Sequence, residues 1–215
     1  MNRLVVFGCS HAYGQGLSDC WDSKRQIAGP QPSLLSWPGQ LVTLLKETYN
    51  PNMLLVNKSG PGYSNKEIMH SILLFNFQAG DICVIMWTYP NRSSVFQGKG
   101  SKWTSTRQFL PNFSDSKKYY KHFHTEFDSN YSTWQNINHA KLLLDSVDVP
   151  NWHCGAHKGI FLEAYPPSWN NAEIILTDFE KWMKEYPARD GSHAGEPAHE
   201  KQAQELKVTI DAYYK

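Results

Sequence analysis

The chain has 215 residues, of which 40% are apolar and 19% charged, a balance that fits one ordinary domain with a full core and excludes a disordered chain. Its 21 Lys and Arg nearly cancel its 20 Asp and Glu, and a net charge of +1 provides no global field to hold a polyanion. Nucleic acid is therefore not the expected partner. Aromatic residues reach 13%, which serves either an aromatic-rich core or the walls of a carbohydrate or acyl-group site.

Met1 leads directly into Leu4-Val5-Val6-Phe7, too short a run for the apolar core of an export signal. No apolar stretch is long enough to span a bilayer, so no membrane partner is expected. Cys9, Cys20, Cys83 and Cys154 are scattered without metal-type pairing and read as free thiols, which makes the expected location cytoplasmic.

Three short apolar runs read as buried strands, at residues 3–7, 53–56 and 81–87, each ending in a Gly-, Asn- or Pro-rich loop. Between the first two, residues 36–49 carry Trp37, Leu41, Leu44 and Leu45 at helical spacing. Between the second and third, residues 65–77 place Ile68, Ile72, Leu73 and Phe75 on a helical period. Strand–helix–strand–helix–strand is the pattern of a parallel sheet with crossover helices. Residues 93–132 depart from it and read as an insertion or lid over the crevice or, equally, as a plain surface excursion, with 117–127 helical. Residues 131–146 look helical, a fourth strand falls near 151–154 or 159–164, and 196–214 forms a C-terminal helix.

In such sheets the ligand crevice lies beyond the carboxyl ends of the strands. After the first strand comes Gly8-Cys9-Ser10-His11-Ala12-Tyr13-Gly14. A serine there sits at the crevice, and its backbone N–H can donate to a developing oxyanion if a helical turn follows. The same serine can equally cap that turn. Near the other end lies Asp190-Gly191-Ser192-His193, in which the Asp can accept from the His Nδ1 and leave Nε2 as a base. Taken alone, that spacing also fits a helix cap followed by a surface histidine.

Together with Asn57-Lys58-Ser59-Gly60-Pro61-Gly62-Tyr63-Ser64-Asn65, these blocks make the chain resemble the SGNH, or GDSL-like, hydrolases. The resemblance covers most of the chain outside the middle insertion. It implies a three-layer α/β/α sandwich with a central parallel sheet of the flavodoxin-like kind, needing no cofactor or metal. It further implies Ser10 as nucleophile, His193 as general base, Asp190 as its orienter, and Gly62 as a backbone donor to the oxyanion, with Gly60 the neighbouring candidate. Cys9 stands where the family usually has Asp. After the third strand the family's Gly-x-Asn-Asp is replaced by Thr88-Tyr89-Pro90-Asn91-Arg92, so Asn91 becomes the candidate for the third oxyanion donor. Thr88, Arg92 and His11 are candidate substrate contacts. Asn65 is expected to cap the helix it opens, and His199 to face solvent.

Two other constellations carry less. His153 and His157 with Cys154 have a metal-like spacing, but Gly155 and the expected strand oppose a shared helical face. The glycines of 8–16 lack the Gly-Lys-Ser/Thr or G-x-G-x-x-G of a phosphate cradle. The sequence therefore points to a serine esterase acting on a small-molecule or carbohydrate ester, with small acyl groups such as acetyl favoured by the resemblance. The alternatives are an acyltransferase on a carbohydrate and a non-catalytic carbohydrate-binding protein that retains the fold.

Overall fold

The computed structural model describes all residues except 100–101, 112, 158–173 and 176. At its centre lies a five-stranded sheet in the order β4-β1-β5-β8-β9, parallel throughout. Its strands are β1 (Arg3–Phe7), β4 (Leu54–Asn57), β5 (Asp81–Trp87), β8 (Asn151–Gly155) and β9 (Ile174–Ile175). Counted by sheet strand, this is the doubly wound order 2-1-3-4-5, whose crevice opens where β1 and β5 diverge to opposite sides. At the opposite end, the Arg3 guanidinium donates to both Asp81 oxygens and ties β1 to β5.

The alternation of side chains along each strand divides the core in two. Leu4, Val6, Ile82, Val84 and Met86 point to the face covered by α2 (Trp37–Thr48), α6 (Phe179–Glu185) and α7 (Glu196–Tyr213). Val5, Phe7, Cys83, Ile85 and Trp87 point to the other face, under α3 (Asn65–Leu73) and α5 (Glu126–Ser146). Every residue of β5 is buried, as expected of a strand covered on both faces. This is the three-layer α/β/α arrangement. Among the described residues, no helix is long and apolar enough to cross a membrane.

The first and third strands fall where the hydrophobic runs place them, and the second is displaced by one residue. The helix expected over 65–77 stops at Leu73, and Phe75 and Phe77 instead pack their rings against Phe7 from the loop. The fourth strand is the earlier of the two candidates; residues 159–164 lie outside the described residues. The middle segment begins as an antiparallel hairpin of β6 (Ser93–Lys99) and β7 (Lys102–Phe109). A short 3₁₀ turn (Ser114–Ser116) and α4 (Lys117–His122) follow, and α5 then begins at Glu126. The helix expected over 117–127 is thus broken, because Thr125 adopts extended backbone and its side chain caps α5 through the Asp128 N–H. A small antiparallel pair, β2 (Trp21–Asp22) with β3 (Ile27–Ala28), lies outside the main sheet.

Candidate active site

The site is assembled at the carboxyl end of the sheet from three segments far apart in sequence. Leaving β1, the chain enters a single helical turn, α1 (Ser10–Tyr13), whose N-cap, Cys9, offers no side-chain hydrogen bond. The first N–H groups of a helix have no partner within it, and the amide of Ser10 is the first of them in α1. Asn57, at the end of β4, holds this turn in place by donating from Nδ2 to the Ala12 carbonyl.

Asp190 and His193 lie on a tight turn between α6 and α7. The turn is closed by an isolated bridge between Pro187 and Ala194 and by the Ala188 N–H donating to the His193 carbonyl at 2.8 Å. Asp190 Oδ1 accepts from the backbone N–H groups of Ser192 and His193, both at 3.0 Å, which fixes the carboxylate. Its Oδ2 lies 2.6 Å from His193 Nδ1, and His193 Nε2 lies 2.9 Å from Ser10 Oγ. The hydroxyl, imidazole and carboxylate thus form one continuous hydrogen-bonded line.

Gly16 makes this approach possible. It adopts φ +89°, and a Cβ there would come within 2.9 Å of the Asp190 carboxyl carbon. Its carbonyl receives the Arg189 N–H at 3.1 Å. The loop after α1 therefore docks directly on the Asp190 turn, a role the sequence analysis did not assign to Gly16. A glycine needed for close approach of two backbones leaves no pattern of its own unless the partner segment is known.

Electrostatics suit a neutral base. Burial lowers the His193 pKa; Asp190 pulls it back up and the Arg92 charge pushes it down, leaving it below the ordinary 6.5. Burial alone would raise the Asp190 carboxyl, but its N–H donors and the His193 ring hold it below the usual carboxylate value. His11, next to the serine in sequence, is buried, with its ring centroid 5.1 Å from that of His193. Burial, then His193, Arg92 and His199, keep it well below 6.5 and hence uncharged. It packs edge-on to Phe179 and Tyr89, so it forms part of the wall beside the pair rather than an exposed contact.

The second block supplies a loop with a glycine at φ +74°, Gly62, a conformation that disfavours any side chain. The Gly62 N–H enters no hydrogen bond among the described residues, whereas that of Gly60 is used by the Gly8 carbonyl at 3.2 Å. Of the two candidates, only Gly62 keeps its donor available. The cap of α3 is Ser64, not Asn65: Ser64 and Glu67 form a reciprocal capping box. Asn65 instead clamps the end of β5. Its Oδ1 accepts from the Thr88 N–H, and its Nδ2 donates to the Thr88 carbonyl and to Thr133 Oγ1.

The third block differs most from expectation. Thr88 is fully buried, its backbone held by Asn65, and its hydroxyl is buried without a hydrogen-bond partner. Asn91 sits in a turn after Pro90 with its side chain exposed, and makes no hydrogen bond to Ser10, His193 or Gly62. Its carbonyl accepts from the Tyr120 hydroxyl at 2.5 Å. Arg92 does lie beside the site, its guanidinium carbon 5.3 Å from the centre of the Tyr89 ring.

His199 is buried rather than solvent-facing. Its Nδ1 accepts from the Trp37 N–H at 3.0 Å and so caps α2 from another helix. His153 is likewise internal: Nδ1 accepts from Trp87 Nε1 and Nε2 meets Asn151 Oδ1, leaving neither nitrogen for a metal. His157 pairs with Glu180 at 3.0 Å.

No protein-family model matches the sequence, and no curated protein matches it. Solved structures do match in fold. An inhibitor-bound aryl esterase from M. smegmatis superposes with a TM-score of 0.59 at 9% identity, covering 99% of each chain. The lipase Lip_vut3 from a goat rumen metagenome gives 0.57 at 12% identity, covering 97% of each chain. A lipase/acylhydrolase from Enterococcus faecalis gives 0.56 at 12% identity, covering 99% of this chain and 97% of its own. Lipolytic proteins of the G-D-S-L family recur among the similar structures, for example one from Desulfitobacterium hafniense with a TM-score of 0.53 over 97% of this chain. The chain therefore has the α/β/α fold of the SGNH, or GDSL-like, hydrolases.

Proposed function

We propose that the protein is a serine esterase that cleaves carboxylic esters through an acyl-enzyme. The observation that carries this reading is the line from Ser10 Oγ to His193 Nε2 at 2.9 Å and from His193 Nδ1 to Asp190 Oδ2 at 2.6 Å. Similar structures named as lipases, esterases and acylhydrolases support it. A serine hydroxyl is a weak nucleophile until a base removes its proton, and an imidazole at hydrogen-bonding distance whose pKa lies below 6.5 supports His193 as that base.

Ser10 Oγ attacks the ester carbonyl while its proton passes to His193 Nε2. Asp190 fixes the imidazole and stabilises its charged form. The tetrahedral oxyanion is met by the N–H groups of Ser10 and Gly62. His193 then protonates the departing alcohol, and a water activated by the same nitrogen releases the acid and restores Ser10. With Asn91 turned outward, this oxyanion hole rests on two backbone donors. Turnover of p-nitrophenyl acetate by the wild type and by Ser10→Ala tests the reading, and equal rates above background in the two proteins would sink it.

A further inference from the structure

A cavity of about 360 Å³ opens between α3, α5 and the start of β6, with Arg92 as one wall. Arg92 is linked to the triad through rings. Its guanidinium lies over Tyr89, Tyr89 packs 6.3 Å from His11, and His11 lies 5.1 Å from His193. Ser10, Asp190 and His193 do not line the cavity; Arg92 connects it to them through these contacts, a setting for a part of the substrate remote from the reacting bond.

Its lining is polar, and its charges do not balance. Lys66 and Arg92 face it with Asp128 as the single carboxylate. Neither cation has a carboxylate partner among the described residues; each rests on an aromatic face, Arg92 on Tyr89 and Lys66 on Phe96 at 5.1 Å. Arg92 Nη1 is buried and has no hydrogen-bond partner. The guanidinium as a whole can make charge-assisted, two-point bonds to an anion in the cavity. Asp128 lies exposed in the first turn of α5, where the helix N-terminus already stabilises its charge. Around these charges the wall offers Ser132, Asn136 and Thr133, neutral groups that can complete the solvation of a carboxylate.

We infer that this cavity is the subsite for a carboxylate carried by the substrate, with Arg92 as its principal anchor and Lys66 as an auxiliary charge. The inference rests on the esterase reading for the identity of the substrate as an ester. A planar carboxylate matches the guanidinium fork, which an ammonium does not offer, so Arg92 rather than Lys66 is the specificity-determining residue.

The test separates binding from turnover. Calorimetry on Ser10→Ala compares monomethyl glutarate with dimethyl glutarate, and 4-acetoxybutanoate with its methyl ester; the first pair carries the carboxylate on the acyl side and the second on the alcohol side. In at least one pair the acid should bind about ten- to a hundredfold more tightly than its capped partner. That ratio should collapse in Ser10→Ala/Arg92→Gln and shrink only partly in Ser10→Ala/Lys66→Gln. Near-UV circular dichroism verifies that each variant is folded. Equal binding of acid and capped ester in both pairs, no binding of any of the four, or a preference unchanged by Arg92→Gln would each overturn the subsite. Hydrolysis of the same four esters by the wild type is read separately: selective binding without turnover would remove the esterase reading and leave the anion subsite standing.

Discussion

Ser10 Oγ and His193 Nε2 stand 2.9 Å apart although 183 positions separate them in the chain. Removing the hydroxyl should lower kcat for p-nitrophenyl acetate by on the order of a millionfold, the scale of deleting a serine nucleophile. Asp190→Asn retains an oxygen for the Ser192 and His193 N–H groups but loses the charge that orients the imidazole. It should cost roughly ten-thousandfold. Steady-state kinetics on both variants decides this, and an Asp190→Asn enzyme within tenfold of the wild type would contradict the assigned role.

The pH profile follows from the same contact. His193 must be neutral to accept a proton, and its pKa lies below 6.5 because of burial, with Asp190 raising it and Arg92 lowering it. The acid limb of kcat/KM should therefore lie below pH 6.5. Replacing Arg92 by Gln removes a nearby cation and should shift that limb to higher pH; replacing Asp190 by Asn removes the anion and should shift it lower. Rate profiles between about pH 4 and pH 8 would show it, and movement in the opposite direction in either variant would refute the assignment.

The oxyanion hole makes an asymmetric prediction. Gly62 holds φ +74°, a backbone conformation that a side chain strains, so Gly62→Ala should displace the donor and reduce kcat by about a hundredfold. Asn91→Ala should leave kcat within about threefold, since loss of a true donor would cost at least a hundredfold. A hundredfold loss in Asn91→Ala would place that side chain in the hole after all.

The sequence makes the sheet legible because its strands are short continuous apolar runs and because sites in open α/β folds gather at strand ends. Ser10, Asp190 and His193 are legible only in combination, since each block taken alone also fits a helix cap and the family resemblance assigns their roles. The remainder depends on contacts between segments that no local pattern encodes. His199 reads as a surface residue because its helix is polar, yet it caps α2 across the fold. Asn65 reads as a cap because it opens a helix after a loop, yet Ser64 takes that role and frees Asn65 to hold Thr88. Asn91 reads as an oxyanion donor from its place after the third strand, yet its side chain is exposed and its carbonyl is bound by Tyr120, from a segment whose expected helix is broken at Thr125.

That clamp is itself testable. Asn65→Ala leaves the Thr88 N–H, the Thr88 carbonyl and Thr133 Oγ1 without their amide partner in a buried site. Unsatisfied buried polar groups of this kind cost about 1–3 kcal/mol each, in part recovered by relaxation. A loss of roughly 2–4 kcal/mol in urea denaturation is expected. Activity should fall as well, because the loop carrying Arg92 begins at Thr88. A variant as stable as the wild type would show that the amide is dispensable.

Stability should also depend on acid through buried histidines, two of which lie outside the Ser10–His193 line, at His153 and His199. Burial is the leading cause that moves the pKa of His153 and of His199 from 6.5 down to about 3. Both are neutral in the fold, and the unfolded chain binds their protons first as pH drops. Their contribution is therefore complete above pH 6.5 and is lost progressively as pH falls toward 3. His199→Asn offers an oxygen in place of Nδ1 to the Trp37 N–H and carries no titrating group. It should be somewhat less stable than the wild type at pH 8, yet lose less stability on acidification, with a slope shallower by one proton. Urea midpoints across that range measure the slope, and identical slopes in the two proteins would mean that His199 titrates normally in the fold.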